Sequence, residues 1–398
     1  MSEITASSSI GAIGLSKRAR AVAPFEVMEI VGRANQKDRN GDDVIHLEVG
    51  EPKFPIAPSV AAACHAYLSA GRAQYTEAAG MPALREAIAA HYQRVFGITV
   101  EAERIVVTNG ASGALVLAMA ATMDPGQALL TADPSYPCNR QIARILGCDT
   151  QLVPASAAHG FQLRADQVAS LATDQTGAVL VASPSNPTGT LIEPAELAAL
   201  YQLCQTRQLP LIVDEIYQGL VYGQDPSTAL AIGDPWIVNS FSKYFGLTGM
   251  RLGWLVCPPG LSGAVTNLAQ HLFISPSSLS QAAGLACFEP EAIAVFEARR
   301  VELAQARDYL IDALTALGFT LADTPAGAYY LFFDISKLSD SSAQLASELL
   351  EHANVATTPG HDFGPTFAAT HLRVAYVDDR ARLEAAVSRI RGYLQARR

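Results

Sequence analysis

The stretch that decides the fold is "WIVNSFSKYFGLTGMRLGW", residues 236–254. A short apolar run ends in small polar residues, then come a lysine, glycines and an arginine. The chain has only five lysines, and four of them lie in polar or loop-like sequence: Lys17, Lys37, Lys53 and Lys337. Lys243 alone lies where an extended buried segment breaks into a glycine-rich turn. Lysine forms Schiff bases where apolar surroundings favour its neutral form. The alternative is a packed stem with a solvated ammonium.

Composition excludes two kinds of partner. The 398-residue chain has a formal net charge of −10. This charge argues against nucleic acid, whose sequence-independent binding needs lysine and arginine to replace counterions. It equally disfavours an anionic membrane surface. With 49% hydrophobic and 17% charged residues, the chain is long and apolar enough for a large core, and two domains are expected.

A cytoplasmic location is expected from the cysteines and from the lack of targeting signals. The six cysteines are scattered without a C-x-x-C pair, which indicates buried free thiols in a reducing compartment. No apolar run approaches the roughly 20 residues that a membrane helix needs. The opening sequence "MSEITASSSIGAIG" lacks a basic region followed by an apolar core, so no secretory signal is expected.

Short apolar runs alternate with helix-period segments through the middle of the chain. The strand candidates are residues 104–110, 128–136, 177–186, 209–217, 236–243 and 251–257. This alternation predicts an α/β fold, with a mainly parallel sheet flanked by helices. Ligands bind at the carboxyl ends of strands in such folds. Polar side chains cluster there: Asn186, Asp214, Tyr217, Ser240, Ser242 and Lys243.

The pattern changes after Pro290, where a long helical stretch is followed by two strand-like runs. We therefore expect a large ligand-binding domain over residues 56–289 and a smaller α+β domain over residues 290–398. Residues 1–55 are too few and too isolated to form a domain, so they are expected to pack with the small one.

Several enzyme classes lack their motifs. No lysine follows a glycine, so the phosphate loop of nucleotide-binding enzymes is missing. The H-E-x-x-H and G-x-S-x-G motifs are also missing, and the eight histidines show no metal-ligand spacing. No metal site is predicted. What remains is a lysine among polar groups at strand ends.

The neighbours of Lys243 favour a cofactor site. Asp214 ends a very apolar strand, where it either caps a local amide or faces a buried cation such as a protonated pyridine nitrogen. Tyr217 could reach a second polar atom of the same ring, and Asn186 follows a strand. Ser112 opens a strand-to-helix turn that suits a phosphate, unless it is only an N-cap. The guanidinium of Arg251 could donate two parallel hydrogen bonds to that phosphate.

The conjunction of motifs resembles the class I/II aminotransferases, pyridoxal-phosphate enzymes of the aspartate aminotransferase fold (fold type I). The resemblance runs from about residue 20 to the end of the chain. Its motifs are "YTEAAGMPALREAIA", "SPSNPTG", "VDEIY", "SFSKYFGLTGMRLGW", "GAYYLF", "TPGHDFG" and "LRVAY". It implies pyridoxal 5'-phosphate as the cofactor, bound in the large domain.

The resemblance also implies residue roles. Lys243 would hold the cofactor covalently and Asp214 would pair with its pyridine nitrogen. Tyr217 and Asn186 would bind its phenolic oxygen, and Tyr136 would stack on its ring. Contacts to the phosphate and its surroundings would come from Gly110, Ala111, Ser112, Ser240, Ser242 and Arg251.

Other implied roles concern substrate and partner subunit. Arg373 would bind the substrate α-carboxylate, with Gly50 lining the same pocket. Tyr75 would reach the phosphate of a neighbouring subunit, which implies a homodimer with shared active sites; Ser278 matches this interface more loosely. For Tyr75, as for Tyr136, an ordinary half-buried tyrosine is the alternative. The chain departs from the family at Phe367, where glycine is common, and in its Gly-Ala-Ser phosphate loop.

The implied reaction moves an amino group from an L-amino acid to a 2-oxo acid by a ping-pong mechanism in amino-acid metabolism. Dicarboxylate-specific members of one branch of the resembled family place an arginine over the distal carboxylate, in the region that follows the lysine motif. Here no arginine occurs between Arg251 and Arg299, so a neutral or aromatic donor is expected. An aspartate-specific enzyme is the alternative, with Arg18 or Arg20 as the cation.

Two further alternatives stay open. An elimination enzyme of the same fold, such as a β-lyase, would share the cofactor contacts, and keto-acid-dependent turnover through the amine form of the cofactor would separate the two. A transcriptional regulator built on this fold would need a DNA-binding module ahead of the domain, and only about 25 residues precede the match.

Overall fold

The computed structural model describes residues 14–397. Residues 1–13, which make up nearly all of the opening sequence considered for a secretory signal, lie outside the described residues. The helices are α1 Lys17–Ala21, α2 Val27–Arg39, α3 Pro58–Ser69, α4 Pro82–Phe96, α5 Gly110–Thr122, α6 Pro137–Ile145, α7 Ala165–Leu171, α8 Pro194–Thr206, α9 Ser262–Phe273, α10 Ser278–Ala286, α11 Pro290–Thr315, α12 Ser342–Ala353 and α13 Arg380–Ala396. The strands are β1 Ile45–His46, β2 Ile105–Thr108, β3 Ala128–Asp133, β4 Asp149–Pro154, β5 Thr176–Ala182, β6 Leu211–Asp214, β7 Trp236–Ser240, β8 Gly253–Val256, β9 Tyr330–Asp334, β10 Val355–Ala356, β11 Thr358–Pro359 and β12 His371–Ala375.

The main sheet has seven strands in the order β2-β8-β7-β6-β5-β3-β4. Strand β8 runs antiparallel to both of its neighbours, and the other pairs are parallel. The prediction of a mainly parallel sheet is confirmed, and all six strand candidates are strands. The edge strand β4 was not predicted, because its sequence "DTQLVP" is largely polar and half-exposed.

Both faces of this sheet are buried, which explains the nearly continuous apolar runs. In β6, Leu211 and Val213 point into one hydrophobic core and Ile212 points into the other. Helices α3, α4 and α8 contribute to the first core, and α5 and α9 to the second. Several helices begin with proline, which suits a first turn whose N–H groups have no helical partner.

The C-terminal part forms a separate layer around the three-stranded antiparallel sheet β11-β12-β9. Helices α11, α12 and α13 pack with it through a third core. The N-terminal segment joins this layer, since β1 pairs with β10 and Ile30, Ala34 and Val44 pack against Leu350. Within residues 14–397, no helix is both long and apolar enough to cross a membrane.

A half-buried histidine makes two hydrogen bonds within the N-terminal segment. His46 Nδ1 lies 2.7 Å from Glu48 Oε1, and its Nε2 lies 2.8 Å from Asp38 Oδ2. The hydrogen bond to Glu48, together with that to Asp38, raises the pKa of His46 to about 9 despite the opposing effect of burial.

The raised pKa of His46 predicts a pH-dependent stability. Its contribution should be complete below the unfolded pKa of about 6.5 and should disappear as the pH rises through the folded value. We expect His46→Asn to lower the urea unfolding midpoint more at about pH 6 than at about pH 10. The exposed His65 provides the control, because His65→Asn should show no such difference. An equal loss for His46→Asn at both pH values would contradict the charged pairing.

Candidate active site

Lys243 lies just after β7, in a cavity of about 420 Å³ beside the carboxyl ends of the parallel strands. Lys243 Nζ lies 3.5 Å from the carbonyl oxygen of Gly50. It also lies 5.7 Å from the ring centroids of both Tyr217 and Tyr329. Lys243 is half-buried, and its side-chain nitrogen points into the cavity among aromatic rings.

Twelve of the fourteen predicted site residues line this cavity. They are Gly50, Ala111, Ser112, Tyr136, Asn186, Asp214, Tyr217, Ser240, Ser242, Lys243, Arg251 and Arg373. Gly110 lies directly behind the wall, where an added Cβ would be 2.8 Å from Arg251 Nη2. Tyr75 is 84% exposed and lies outside the cavity, as does Ser278.

Asp214 is the buried acid of the site. Burial raises its pKa to about 6, while the hydrogen bond from the Ile216 N–H and the charge of Lys243 act in the opposite direction. The N–H of Ile216 donates to Oδ1 at 3.0 Å. Asp214 thus caps a local amide and also lines the cavity. A second cation in the cavity would favour its ionised form.

Hydroxyl and amide groups surround the lysine. Tyr217 O–H donates to Tyr330 Oη at 3.1 Å, and burial raises the pKa of Tyr217 well above its usual range. Asn186 accepts a hydrogen bond from Arg373 Nη1 at 2.9 Å through Oδ1. The Tyr136 ring lies 6.3 Å from that of Phe25, and burial also raises the pKa of Tyr136. Because their pKa values are raised, both phenols keep their protons and can donate hydrogen bonds.

One end of the cavity suits an anion. Helix α5 begins at Gly110, so Ala111 and Ser112 lie in its first turn, where N–H groups are free of helical partners. Ser112 is therefore not an N-cap; Asn109 holds that position. Arg251 lines the same end and has a left-handed backbone, with φ 51°.

Two serines support this anion end. Ser240 O–H donates to Ser242 Oγ at 3.0 Å, and the N–H of Ser242 donates back to Ser240 Oγ at 3.0 Å. Gly253 on the neighbouring strand leaves no room for a side chain, since a Cβ there would lie 2.7 Å from the backbone of Gly110. This close approach of β8 to α5 fixes the distance between the helix N-terminus and the serines.

Arg373 forms the opposite end of the cavity. It lies on β12 and is 6% exposed. Its Nη2 donates to the Glu48 carbonyl oxygen at 2.5 Å, and its Nε has no partner among the described residues. The guanidinium carbon lies 4.2 Å from the Tyr330 ring centroid and 4.8 Å from that of Phe363. This arrangement suits a planar carboxylate.

Sequence reasoning missed one side of the cavity. The missed side is formed by Phe25, which precedes α2, and by Val27 and Met28 in its first turn. These three residues are here called the apolar wall, and Val49 lies in the same lining. Asp362 also lines the cavity. The apolar run "PFEVMEI" was the only signal, and nothing local shows that it packs against residues more than 300 positions away.

Two other predictions have structural outcomes. Arg18 Nη1 donates to the Ile145 carbonyl oxygen at 3.1 Å, and neither Arg18 nor Arg20 lines the cavity. Phe367, the departure from glycine, packs edge-on against Phe161 and His371. It therefore shapes the loop before Arg373 without entering the cavity.

The comparisons with known proteins identify the family. The family model "Aminotransferase class I and II" matches residues 42–390. A valine–pyruvate aminotransferase of Mycobacterium tuberculosis is 39% identical over 94% of this chain and 97% of its own length. An aspartate/prephenate aminotransferase of Thermus thermophilus is 33% identical over 94% and 97%. A crystal structure of an aminotransferase from M. tuberculosis superposes with a TM-score of 0.92 at 39% identity, covering 96% of this chain and 99% of that one.

A lysine, a buried aspartate, a helix N-terminus and a buried arginine thus surround one cavity, in a chain whose relatives transfer amino groups. The chain belongs to the class I and II aminotransferase family.

Proposed function

We propose that this aminotransferase uses pyridoxal 5'-phosphate and moves an amino group from a neutral, apolar L-amino acid to a 2-oxo acid such as pyruvate or 2-oxoglutarate. The observation that carries the proposal is the distribution of charge in the cavity. Among the described lining residues, the three with cationic side chains that a bound anion could meet are Lys243, Arg251 and Arg373. Each has a task in binding the cofactor or the α-carboxylate, so none is left for a distal carboxylate. The other charged lining residues are acids, Glu48, Glu51, Asp214 and Asp362, and Phe25, Val27 and Met28 form the apolar wall.

The residues present fit the cofactor. The first turn of α5, with Ser240 and Arg251, suits its phosphate. Asp214 is a buried carboxylate whose raised pKa of about 6 would fall next to a protonated pyridine nitrogen. Lys243 lies between these two groups in the same cavity, which supports it as the residue that binds the cofactor covalently.

Each residue then has a separate task in the reaction. When bound, the cofactor supplies an electron sink for the charge that develops at the substrate α-carbon. Arg373 orients the substrate by its α-carboxylate, and Asn186, which Arg373 holds, offers its amide N–H to the cofactor side. Lys243 Nζ takes the α-proton as a general base and returns it as a general acid. Asp214 stabilises the neighbouring positive charge, and the two half-reactions alternate in ping-pong order.

The donor is proposed from the apolar wall. A distal carboxylate placed against Phe25, Val27 and Met28 would lose its hydration without gaining a cation. Arg18, the alternative cation, is engaged with the Ile145 carbonyl. The valine–pyruvate relative favours this donor class, whereas the aspartate/prephenate relative represents the alternative.

The assembly is proposed to be a homodimer with shared sites. Tyr75 is 84% exposed although it is a large aromatic residue, and Leu272 and Ile274 are each more than half exposed. Covering by a second copy would bury these side chains.

The division into residues 1–55, 56–289 and 290–398, and the cytoplasmic location, also remain proposals.

Lys243→Ala should abolish the visible absorbance of the covalently bound cofactor and reduce turnover by at least about a thousandfold, since the same group binds the cofactor and moves the proton. Lys337→Ala is the control and should behave as wild type. Borohydride reduction followed by peptide mapping gives an independent test. Label on Lys17, Lys37, Lys53 or Lys337 would overturn the assignment.

The donor preference follows from the apolar wall. We expect kcat/KM for valine to exceed that for aspartate with the same acceptor, because only aspartate brings a second carboxylate into the cavity. Alanine, which is neutral and has a shorter side chain than valine, is the matched control. A preference for aspartate of about a hundredfold, or about 2.7 kcal/mol of transition-state binding, would overturn the neutral-donor proposal.

Shared sites can be tested by mixing two inactive variants. In a heterodimer of Tyr75→Ala and Lys243→Ala, one site has both intact residues if Tyr75 serves the partner. Equal mixing should therefore restore up to about a quarter of wild-type activity. The double variant mixed with Lys243→Ala is the control and should stay inactive. A fully active monomer in sedimentation would contradict the proposal.

A further inference from the structure

A carboxylate far along the chain holds the first turn of α2. Asp362 Oδ1 accepts a hydrogen bond from the N–H of Glu26 at 2.8 Å, and Oδ2 accepts one from the N–H of Val27 at 2.8 Å. Glu26, the N-cap residue, makes no side-chain cap of its own. Asp362 therefore supplies both the missing acceptors and a negative charge at the positive end of the helix dipole.

The segment around Asp362 is anchored on its other side. Its carbonyl oxygen accepts a hydrogen bond from Arg140 Nη2 at 2.6 Å. The next residue, Phe363, accepts one from the N–H of Ser135 at 2.9 Å and packs its ring on the guanidinium of Arg373. One short turn, Gly360–Phe363, thus contacts both the carboxylate-binding arginine and the start of α2.

The same first turn carries the apolar wall. Val27 is both a donor to Asp362 and a lining residue of the cavity, and Phe25 and Met28 flank it. The position of the wall relative to Arg373 is consequently set through Asp362. A donor whose α-carboxylate is bound by Arg373 would meet the wall only if its side chain were long enough.

We propose that Asp362 is a positioning residue that determines specificity for larger apolar donors. It acts through Val27 and its neighbours and takes no part in the chemistry. The inference rests on the proposed preference for neutral donors. Without the two hydrogen bonds, the wall would lose its fixed distance from Arg373, and the contact with a long side chain would weaken. Alanine, whose side chain is a single methyl group, would be affected less than a larger donor.

Asp362→Asn is the sharpest variant, because it keeps the shape but replaces one acceptor oxygen by an N–H₂ group that faces another N–H. Asp379→Asn is the matched control. Asp379 Oδ1 accepts a hydrogen bond from the N–H of Arg382 at 2.9 Å at the start of α13, and Asp379 does not line the cavity. Met28→Ala is a second variant that shortens the wall and leaves the anchor intact.

The measurement compares valine and alanine as donors in the holoenzyme, with 2-oxoglutarate as the common acceptor. For Asp362→Asn, kcat/KM for valine should fall by about tenfold or more, mainly through KM, because hydrogen bonds to a charged group are among the stronger ones in proteins. The value for alanine should change by less than about threefold. Met28→Ala should shift the same ratio, and Asp379→Asn should not.

Hydrogen exchange gives a readout that is independent of activity. Peptides covering residues 25–31 should exchange faster in Asp362→Asn than in wild type or Asp379→Asn. Equal losses for valine and alanine, or unchanged values for both, would overturn the positioning role. If wild type instead prefers aspartate, the neutral-donor proposal fails and the specificity role fails with it. The exchange rates then still report whether Asp362 holds α2.

Discussion

A buried guanidinium holds the two layers of the protein together. Arg373 lies on the small sheet, and its hydrogen bonds reach Asn186 after β5 of the main sheet, the Glu48 carbonyl of the N-terminal segment and Thr358 on β11. Its faces lie against the rings of Tyr330 and Phe363. Four distant parts of the chain therefore meet at one cation, and together they form this end of the cavity.

This convergence has an energetic consequence. A buried charge is costly unless it is paired and hydrogen-bonded, and here the direct partners of Arg373 are neutral oxygens. The guanidinium is held in place without a carboxylate of the protein to neutralise it. In the proposed function, a substrate carboxylate would add the opposite charge at a guanidinium that folding has already desolvated, which would favour binding over solvation in water.

The sequence predicted which polar residues meet in the cavity better than it predicted the walls that enclose them. Lys243, Asp214 and Asn186 follow strands, and the common edge of a parallel sheet brings strand ends together, so pattern alone was sufficient to group them. Edge strand β4 was missed because it buries little. The apolar wall and Asp362 were missed for another reason: their contact joins residues 336 positions apart, and no periodicity reports such a pairing. The proposed role of Tyr75 needs a second chain, which one sequence does not position.

Adjacent carboxylates show how the fold assigns different tasks to similar groups. Asp214 and Glu215 are both buried, and burial raises both pKa values, to about 6 and about 8. Glu215 accepts hydrogen bonds from the Thr228 hydroxyl and, at 2.6 Å, from the Ala229 N–H, so its oxygens are used within the loop that follows. Asp214 points the other way, because successive side chains of an extended chain alternate. It lines the cavity, where a cation can meet it. In "VDEIY" both acids suit a buried cation equally by composition, and only the direction set by the strand leaves Asp214 free to bind one.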